Sequence, residues 1–259
     1  MKILFIGDIM GSPGRRTVAE LLPGLAEREG GFDFIVANCE NAAAGRGITP
    51  KVADELFAMG INGMTSGNHI WDKPEGVQFV AGDPRVVRPA NYPDACPGQG
   101  WMLLENRGRR LLVANLLGRV FMPPLDCPFR RADEIVAAAG DDPILIDFHA
   151  EATSEKKALA YYLDGRVAAL IGTHTHVQTA DEEILPRGTA FITDAGMTGG
   201  HRSSIGMKLD GVIPRYLTGM PSKFEVSDEG LAFNGVIITL DEESGRASGI
   251  TRVFERLSR

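Results

Sequence analysis

The sequence lacks what a membrane protein, a disulfide scaffold or a polyanion-binding protein requires. It has three cysteines, Cys39, Cys96 and Cys127, an odd number at long spacings with no C-x-x-C pair. That argues against a disulfide framework and fits a reducing compartment. No apolar run approaches the ~18 residues of a membrane span. The apolar opening 2–6 is too short for a signal peptide and runs straight into Gly7-Asp8. The expected location is the cytoplasm, with no membrane contact. Basic residues are in the minority, 27 Lys and Arg against 34 Asp and Glu, for a net charge of -7. A large nucleic-acid footprint needs clustered Lys and Arg and is not expected. A small anionic substrate stays open, because a bound cation supplies positive charge locally. Repeats, low-complexity segments and linkers are also missing. The 259 residues, 44% hydrophobic and 24% charged, are therefore read as one domain, 1–259, with a full core. A homo-oligomer is compatible with this, and the oligomeric state is left open.

What is present is a run of short apolar segments that each end in polar residues. Residues 2–9 read as a strand buried on both faces, and 15–28 as a helix with Val18, Leu21, Leu22 and Leu25 on one face. A second strand covers 32–39. Thr49-Pro50 is the start of a helix ending before Gly60. Residues 61–65 form a third strand. Further on, 101–105 and 110–116 flank Asn106-Arg107-Gly108-Arg109 as a hairpin. A helix is expected over 131–139 and an irregular, Pro-rich excursion over 122–128. A strand follows over 143–148, then a helix over 154–163 capped by Thr153, and strands over 167–171 and 189–193. The tail segments 231–240 and 249–254 read as antiparallel strands closing a second sheet.

The polar ends carry the chemistry. Asp8, Glu40 with Asn41, Asn68 with His69, His149, and His174 with His176 follow five separate strands, the position where open α/β sheets bind ligands. In extended backbone His174 and His176, two apart, would face one point. A lone histidine after a strand is usually a hydrogen-bonded structural residue. Four of them with two acids at the same sheet end are not explained that way, since so many polar groups would be costly to bury unpaired. Imidazole, carboxylate and amide oxygen without thiolate suit Fe, Mn or Zn. Seven candidate ligands, Asp8, Glu40, Asn41, Asn68, His149, His174 and His176, exceed one coordination sphere, so two ions are expected, with Glu40 placed to bridge them. Cys39 adjoins Glu40, but alternation turns it into the core.

The order Gly7-Asp8, Gly67-Asn68-His69, a lone His149 after a strand, and Gly172-Thr173-His174-Thr175-His176 resembles calcineurin-like metallophosphoesterases over roughly residues 1–200. Several stretches are similar to the YmdB-like branch, which includes bacterial 2′,3′-cyclic-nucleotide phosphodiesterases: Gly7 to Gly11, Glu40-Asn41, Asn68 to Asp72, Asp147 to Glu151, and Asp194 to Gly199. The resemblance implies an α/β fold, a four-layer α/β/β/α sandwich with two facing mixed sheets. It implies one ion on Asp8, Glu40, Asn41 and His176, and another on Glu40, Asn68, His149 and His174. Two departures from the wider superfamily stand out. Met10 occupies the place of the histidine in the usual D-x-H, and Glu40-Asn41 replaces the usual bridging aspartate. The first site is thereby harder and richer in oxygen; the resemblance favours iron, with manganese able to substitute.

The expected activity is that of a dimetal phosphodiesterase acting on small cyclic nucleotides, 2′,3′-cyclic first and 3′,5′-cyclic second. Water between two cations ionises near neutral pH and attacks phosphorus. By resemblance His69 lies over the phosphate as general acid; the plain alternative is that it orients a ligand. The competing functions are a phosphomonoesterase or nuclease with the same metals, and a regulatory protein that binds a nucleotide or partner. The glycines at 7, 11 and 14 do not match G-x-G-x-x-G. Gly199-Gly200-His201-Arg202 could reach the phosphate or be ordinary surface, Arg46 is a weaker candidate, and Trp71-Asp72 reads as a loop anchor.

Overall fold

The structure is a computed structural model that describes residues 1–258. The strands are β1 (Lys2–Ile6), β2 (Asp8–Ile9), β3 (Phe34–Asn38), β4 (Gly63–Thr65), β5 (Trp101–Asn106), β6 (Arg109–Leu117), β7 (Ile144–His149), β8 (Ala169–Thr173), β9 (Glu183–Ile184), β10 (Ala190–Ile192), β11 (Met197–Gly200), β12 (Leu231–Leu240) and β13 (Ala247–Arg256). The helices are α1 (Gly11–Glu29), α2 (Pro50–Ala58), α3 (Pro74–Gly82), α4 (Pro128–Ala139), α5 (Thr153–Leu163) and α6 (Leu209–Thr218).

Two mixed sheets face each other. The first runs β2-β11-β12-β1-β3-β4, with β13 added to β12; the second runs β5-β6-β7-β8-β10-β9. Alternation along the strands builds three apolar layers. In β1, Ile3 and Phe5 meet Leu111, Val113 and Leu145 of the second sheet, while Leu4 and Ile6 turn outward onto Val18 and Leu22 of α1 and Leu56 of α2. On the far side, Ile146 and Phe148 of β7 pack under Ile135 of α4 and Leu159 of α5. Helix, sheet, sheet and helix are thus stacked as the expected four-layer sandwich. Each large side chain buried in these layers contributes about 1.5–3 kcal/mol, and strands buried on both faces show no polar alternation for that reason.

Several local expectations hold. Thr49 caps α2, its Oγ1 accepting from Val52 N at 3.3 Å, with Pro50 at the first helical position. Cys39 is fully buried in the core. The stretch before α4 is irregular, anchored by Glu155, whose carboxylate accepts the amides of Arg119 and Val120.

Others are corrected. The tail hairpin β12–β13 does not close the second sheet; β12 lies antiparallel beside β1 in the middle of the first. Thr153 is not a cap but the first residue of α5, which begins after Ala152 with no side-chain cap. The first strand breaks at Gly7, and β2 pairs with β11 instead of β3. The helix after it starts early, at Gly11 and across Pro13, because Pro is tolerated in a first turn whose amides have no intrahelical partner. Gly172 does not end the strand at 171 but lies within β8, where a Cβ would overlap the carbonyl oxygen of Thr193.

Candidate metal centre

The polar strand ends converge where the two sheets meet. Asp8 opens β2, Glu40 and Asn41 follow β3, Asn68 and His69 follow β4, His149 ends β7, and His174 and His176 follow β8. Asp8, Glu40, Asn41, His149 and His176 are buried. The densest point is His149 Nε2. It lies 3.1 Å from Glu40 Oε1, 3.2 Å from Asn68 Oδ1 and 3.0 Å from His174 Nδ1. Gly67 leaves the room for this, since a Cβ there would overlap Glu40 Oε2 and the His149 ring.

Hydrogen bonds behind the cluster define which lone pairs face inward. Asp147 is fully buried and accepts from Thr65 Oγ1 at 2.5 Å, Asn38 Nδ2 at 2.9 Å and Thr173 Oγ1 at 2.7 Å. Because Thr173 donates to Asp147, its oxygen accepts from His149 Nδ1 at 2.8 Å. In the neutral ring this assigns the proton to Nδ1 and leaves a lone pair on Nε2. That lone pair then faces a carboxylate oxygen, an amide oxygen and another imidazole, an arrangement of acceptors that a cation satisfies. Burial opposes a charge on Glu40, but His149 and His69 hold its carboxyl down at about 2. Burial also opposes charging of His149; Glu40, Asp8 and Asp147 outweigh it and raise the ring to about 9. Without a cation Nε2 therefore carries a proton toward Glu40 Oε1, and a bound cation would take that proton's place. Burial and the neighbouring His149 lower His174 to about 3, which keeps its lone pair available.

A second group lies beside the first. Asn41 Nδ2 donates to Gly45 O at 3.0 Å, turning Oδ1 inward, and His176 Nδ1 donates to Ile205 O at 2.9 Å. His176 Nε2 and Asn41 Oδ1 then face each other at 3.2 Å, again two acceptors. Asp8 completes the neighbourhood. Its Oδ2 accepts from His174 N at 3.3 Å, while the buried Oδ1 has no hydrogen-bond partner among the described residues. An orphaned, fully buried carboxylate oxygen next to two facing acceptors fits a bound cation. The donor set of oxygens and imidazoles fits a catalytic metal rather than a thiolate structural site.

The two last histidines reach their places differently from the expected extended backbone. His174 has φ 99° and His176 φ 65°, both in the left-handed region that non-glycine residues rarely adopt. The kinks send His174 toward His149 and His176 toward Asn41, so the pair divides between the two groups. Asp194 holds the turn, its Oδ2 accepting from Thr175 N at 3.0 Å and Thr175 Oγ1 at 2.7 Å. Asp194, Asp147 and Thr173 support the site without being among the seven candidates; their signal in the sequence is that they lie in the stretches that carry the family resemblance. Glu151, 3.2 Å from His174 Nε2, is another.

His69 stands at the rim. Its backbone amide donates to Glu40 Oε2 at 3.1 Å, and its Nδ1 lies 2.9 Å from Asp72 Oδ2. Asp72 thus fixes the ring and leaves Nε2 as the free nitrogen. Trp71 packs edge-on against Tyr92, an anchor as expected. A cavity of about 530 Å³ opens over the cluster, floored by Glu40, Asn41, His69, His174 and His176, with Arg46 at its side. His201 and Arg202 lie elsewhere. They line a different cleft with Arg16 and Arg256, and His201 Nε2 bonds Met197 O at 2.9 Å.

Known proteins share both chain and fold. The chain is 49% identical over 256 residues to a 2′,3′-cyclic-nucleotide 2′-phosphodiesterase of Bacillus subtilis, covering 98% of this chain and 97% of that one. A crystal structure of a hypothetical protein from Thermus thermophilus superposes with TM-score 0.93 at 42% identity, covering 99% of each chain. A novel phosphatase from Mycoplasma pneumoniae superposes with TM-score 0.94 at 33% identity, covering 99% of this chain and 93% of that one. The sequence profile of YmdB-like proteins matches residues 4–253. A metallophosphoesterase sandwich, the polar strand ends in their order and a match over nearly the whole length agree: this chain belongs to the YmdB-like protein family.

Proposed function

We propose that the protein is a metal-dependent phosphodiesterase that opens 2′,3′-cyclic nucleotides, with 3′,5′-cyclic nucleotides as the second candidate substrate class. The observation that carries this reading is the convergence of Glu40, Asn68 and His174 on His149 Nε2 just beneath a nucleotide-sized cavity that His69 also lines. The activity of the Bacillus subtilis relative supports it. Asp8, Glu40, Asn41 and His176 would hold one ion, and Glu40, Asn68, His149 and His174 the other. The family resemblance makes iron the favoured metal and manganese the substitute, and the oxygen-rich first group disfavours zinc. Bound cations would supply an ionised water near neutral pH and positive charge against the phosphate oxygens.

The chain's own residues do the rest. Glu40 would be the ligand shared by both ions, with its Oε1 beside His149 Nε2 and its Oε2 accepting from the His69 amide. Asp147, through Thr173, keeps the His149 lone pair inward. Asp72 holds His69 so that Nε2 faces the cavity, where it gives its proton to the leaving ribose oxygen. The acidic surface disfavours a long polyanion, so the substrate is small.

The test is metal analysis of freshly purified protein together with turnover of adenosine 2′,3′- and 3′,5′-cyclic phosphate, a nucleoside monophosphate and single-stranded RNA. Faster turnover of the 2′,3′-cyclic phosphate is expected. The phosphatase among the structural relatives makes the monophosphate the informative rival; preference for it would replace this reading with phosphomonoesterase activity.

A further inference from the structure

The cavity over the cluster has an outer half built from a different part of the chain. Ile205, Met207, Val212, Arg215, Tyr216 and Phe224 line it, all from the segment between β11 and β12 that carries α6. That segment is tied to the floor at its base, where Ile205 O accepts from His176 Nδ1. Met207 and Val226 pack the segment against Gly45 and Gly11, but α6 itself is held lightly: Val212 is its buried residue, whereas Tyr216 is 85% exposed. A ring so exposed contributes little to the fold. Arg215 rests its guanidinium 5.3 Å from the Phe224 ring centroid, stacked on an aromatic face rather than paired with a carboxylate. A phosphate-sized floor would need much less room than this cavity, whose volume is in the range of whole small-molecule sites.

We propose that Tyr216 and the Arg215–Phe224 pair form a platform on which the nucleobase stacks while the phosphate rests on the floor. This inference rests on the reading of the floor as a phosphodiester site. It adds a chemical consequence. Among the described residues, the outer wall presents aromatic, apolar and cationic groups, with no amide or carboxylate side chain to read a base edge. Stacking acts on the face that every base has and tolerates sequence. The platform therefore distinguishes substrates with a base from those without, and adenine, guanine, cytosine and uracil are all accepted.

The test compares adenosine 2′,3′-cyclic phosphate with glycerol 1,2-cyclic phosphate, a five-membered cyclic phosphodiester that has no base. Wild type, Tyr216→Ala, Tyr216→Phe and Arg215→Ala are assayed in the metal-loaded enzyme. For the nucleotide, Tyr216→Ala and Arg215→Ala should raise KM about five-fold or more with kcat within about two-fold, and Tyr216→Phe should keep the wild-type KM. Glycerol cyclic phosphate should show no change in any variant. The four 2′,3′-cyclic nucleotides should have KM values within about ten-fold of one another, purines lowest. Equal losses on both substrates, or an unchanged nucleotide KM in Tyr216→Ala, overturn the platform. So does a Tyr216→Ala protein that changes only its oligomeric state by light scattering, which would make α6 a contact between copies. Should wild type cleave only phosphomonoesters, the phosphodiester reading fails alone. The same variants on adenosine 2′-monophosphate against glycerol phosphate then decide the platform by the same KM difference.

Discussion

Lys156 Nζ lies 2.9 Å from Asp194 Oδ2, with both side chains fully out of solvent. The same ammonium donates to Thr173 O at 2.7 Å, and the same carboxylate oxygen holds Thr175. One buried ion pair thus closes over the turn that carries His174 and His176 in left-handed backbone. Lys156→Met should leave Asp194 charged and unpaired in the interior, at about 3–5 kcal/mol of stability. Urea unfolding followed by circular dichroism measures this. A loss below about 1 kcal/mol would mean that water reaches Asp194.

His69 touches no other member of the inner cluster with its ring. His69→Ala should therefore keep its full metal content while kcat on a 2′,3′-cyclic nucleotide falls roughly 10²–10⁴-fold. Asp72→Asn should cost less, because the ring remains and only its orientation is loosened. Full activity in His69→Ala would remove the general-acid role.

Thr173 lies between Asp147 and His149. Thr173→Val keeps shape and volume but removes the hydroxyl, so the His149 ring loses what fixes its tautomer. Metal affinity measured by competition with a chelator should fall about 10–100-fold, while thermal stability of the metal-free protein changes much less than in Lys156→Met.

Stripping the metal should destabilise the protein. Asp8 Oδ1 is then left buried without a partner among the described residues, and His176 Nε2 faces Asn41 Oδ1 without the ion between them. Adding manganese back at about 100 times its dissociation constant should restore about 2.7 kcal/mol, because the folded state alone binds it. Calorimetry before and after chelation reads this directly; an unchanged melting temperature would exclude a resident metal at these residues.

The members of the inner cluster are legible in the sequence because each follows an apolar strand and carries unusual chemistry for that place. Position along the chain is enough to single out Asp8, Glu40, Asn41, Asn68, His149, His174 and His176. Their mutual geometry is not legible. The direction in which His174 and His176 diverge depends on two positive φ angles, which arise from Asp194 and Lys156 elsewhere in the chain. The helices α3 and α6 and the short strand β11 leave little trace for a related reason. Each carries too few periodic apolar residues to stand out: α3 buries only Gly76 and Val80, and α6 only Val212. The place of β12 is hidden because an antiparallel hairpin states its internal pairing but not which sheet edge or gap receives it.

That gap has a consequence for how the protein comes into being. β1 has β3 on one side and β12 on the other, so the centre of the first sheet stays open until Leu231–Leu240 is in place. The second sheet, from β5 to β10, uses only residues already made. Every candidate ligand, from Asp8 to His176, precedes β12, and Asp8 is tied to β11, so the cluster needs nothing from the hairpin that closes the sheet beside β1. A chain cut before Leu231 would keep all seven candidate ligands and leave the edge of β1 bare, so its failure would be one of folding and not of missing ligands.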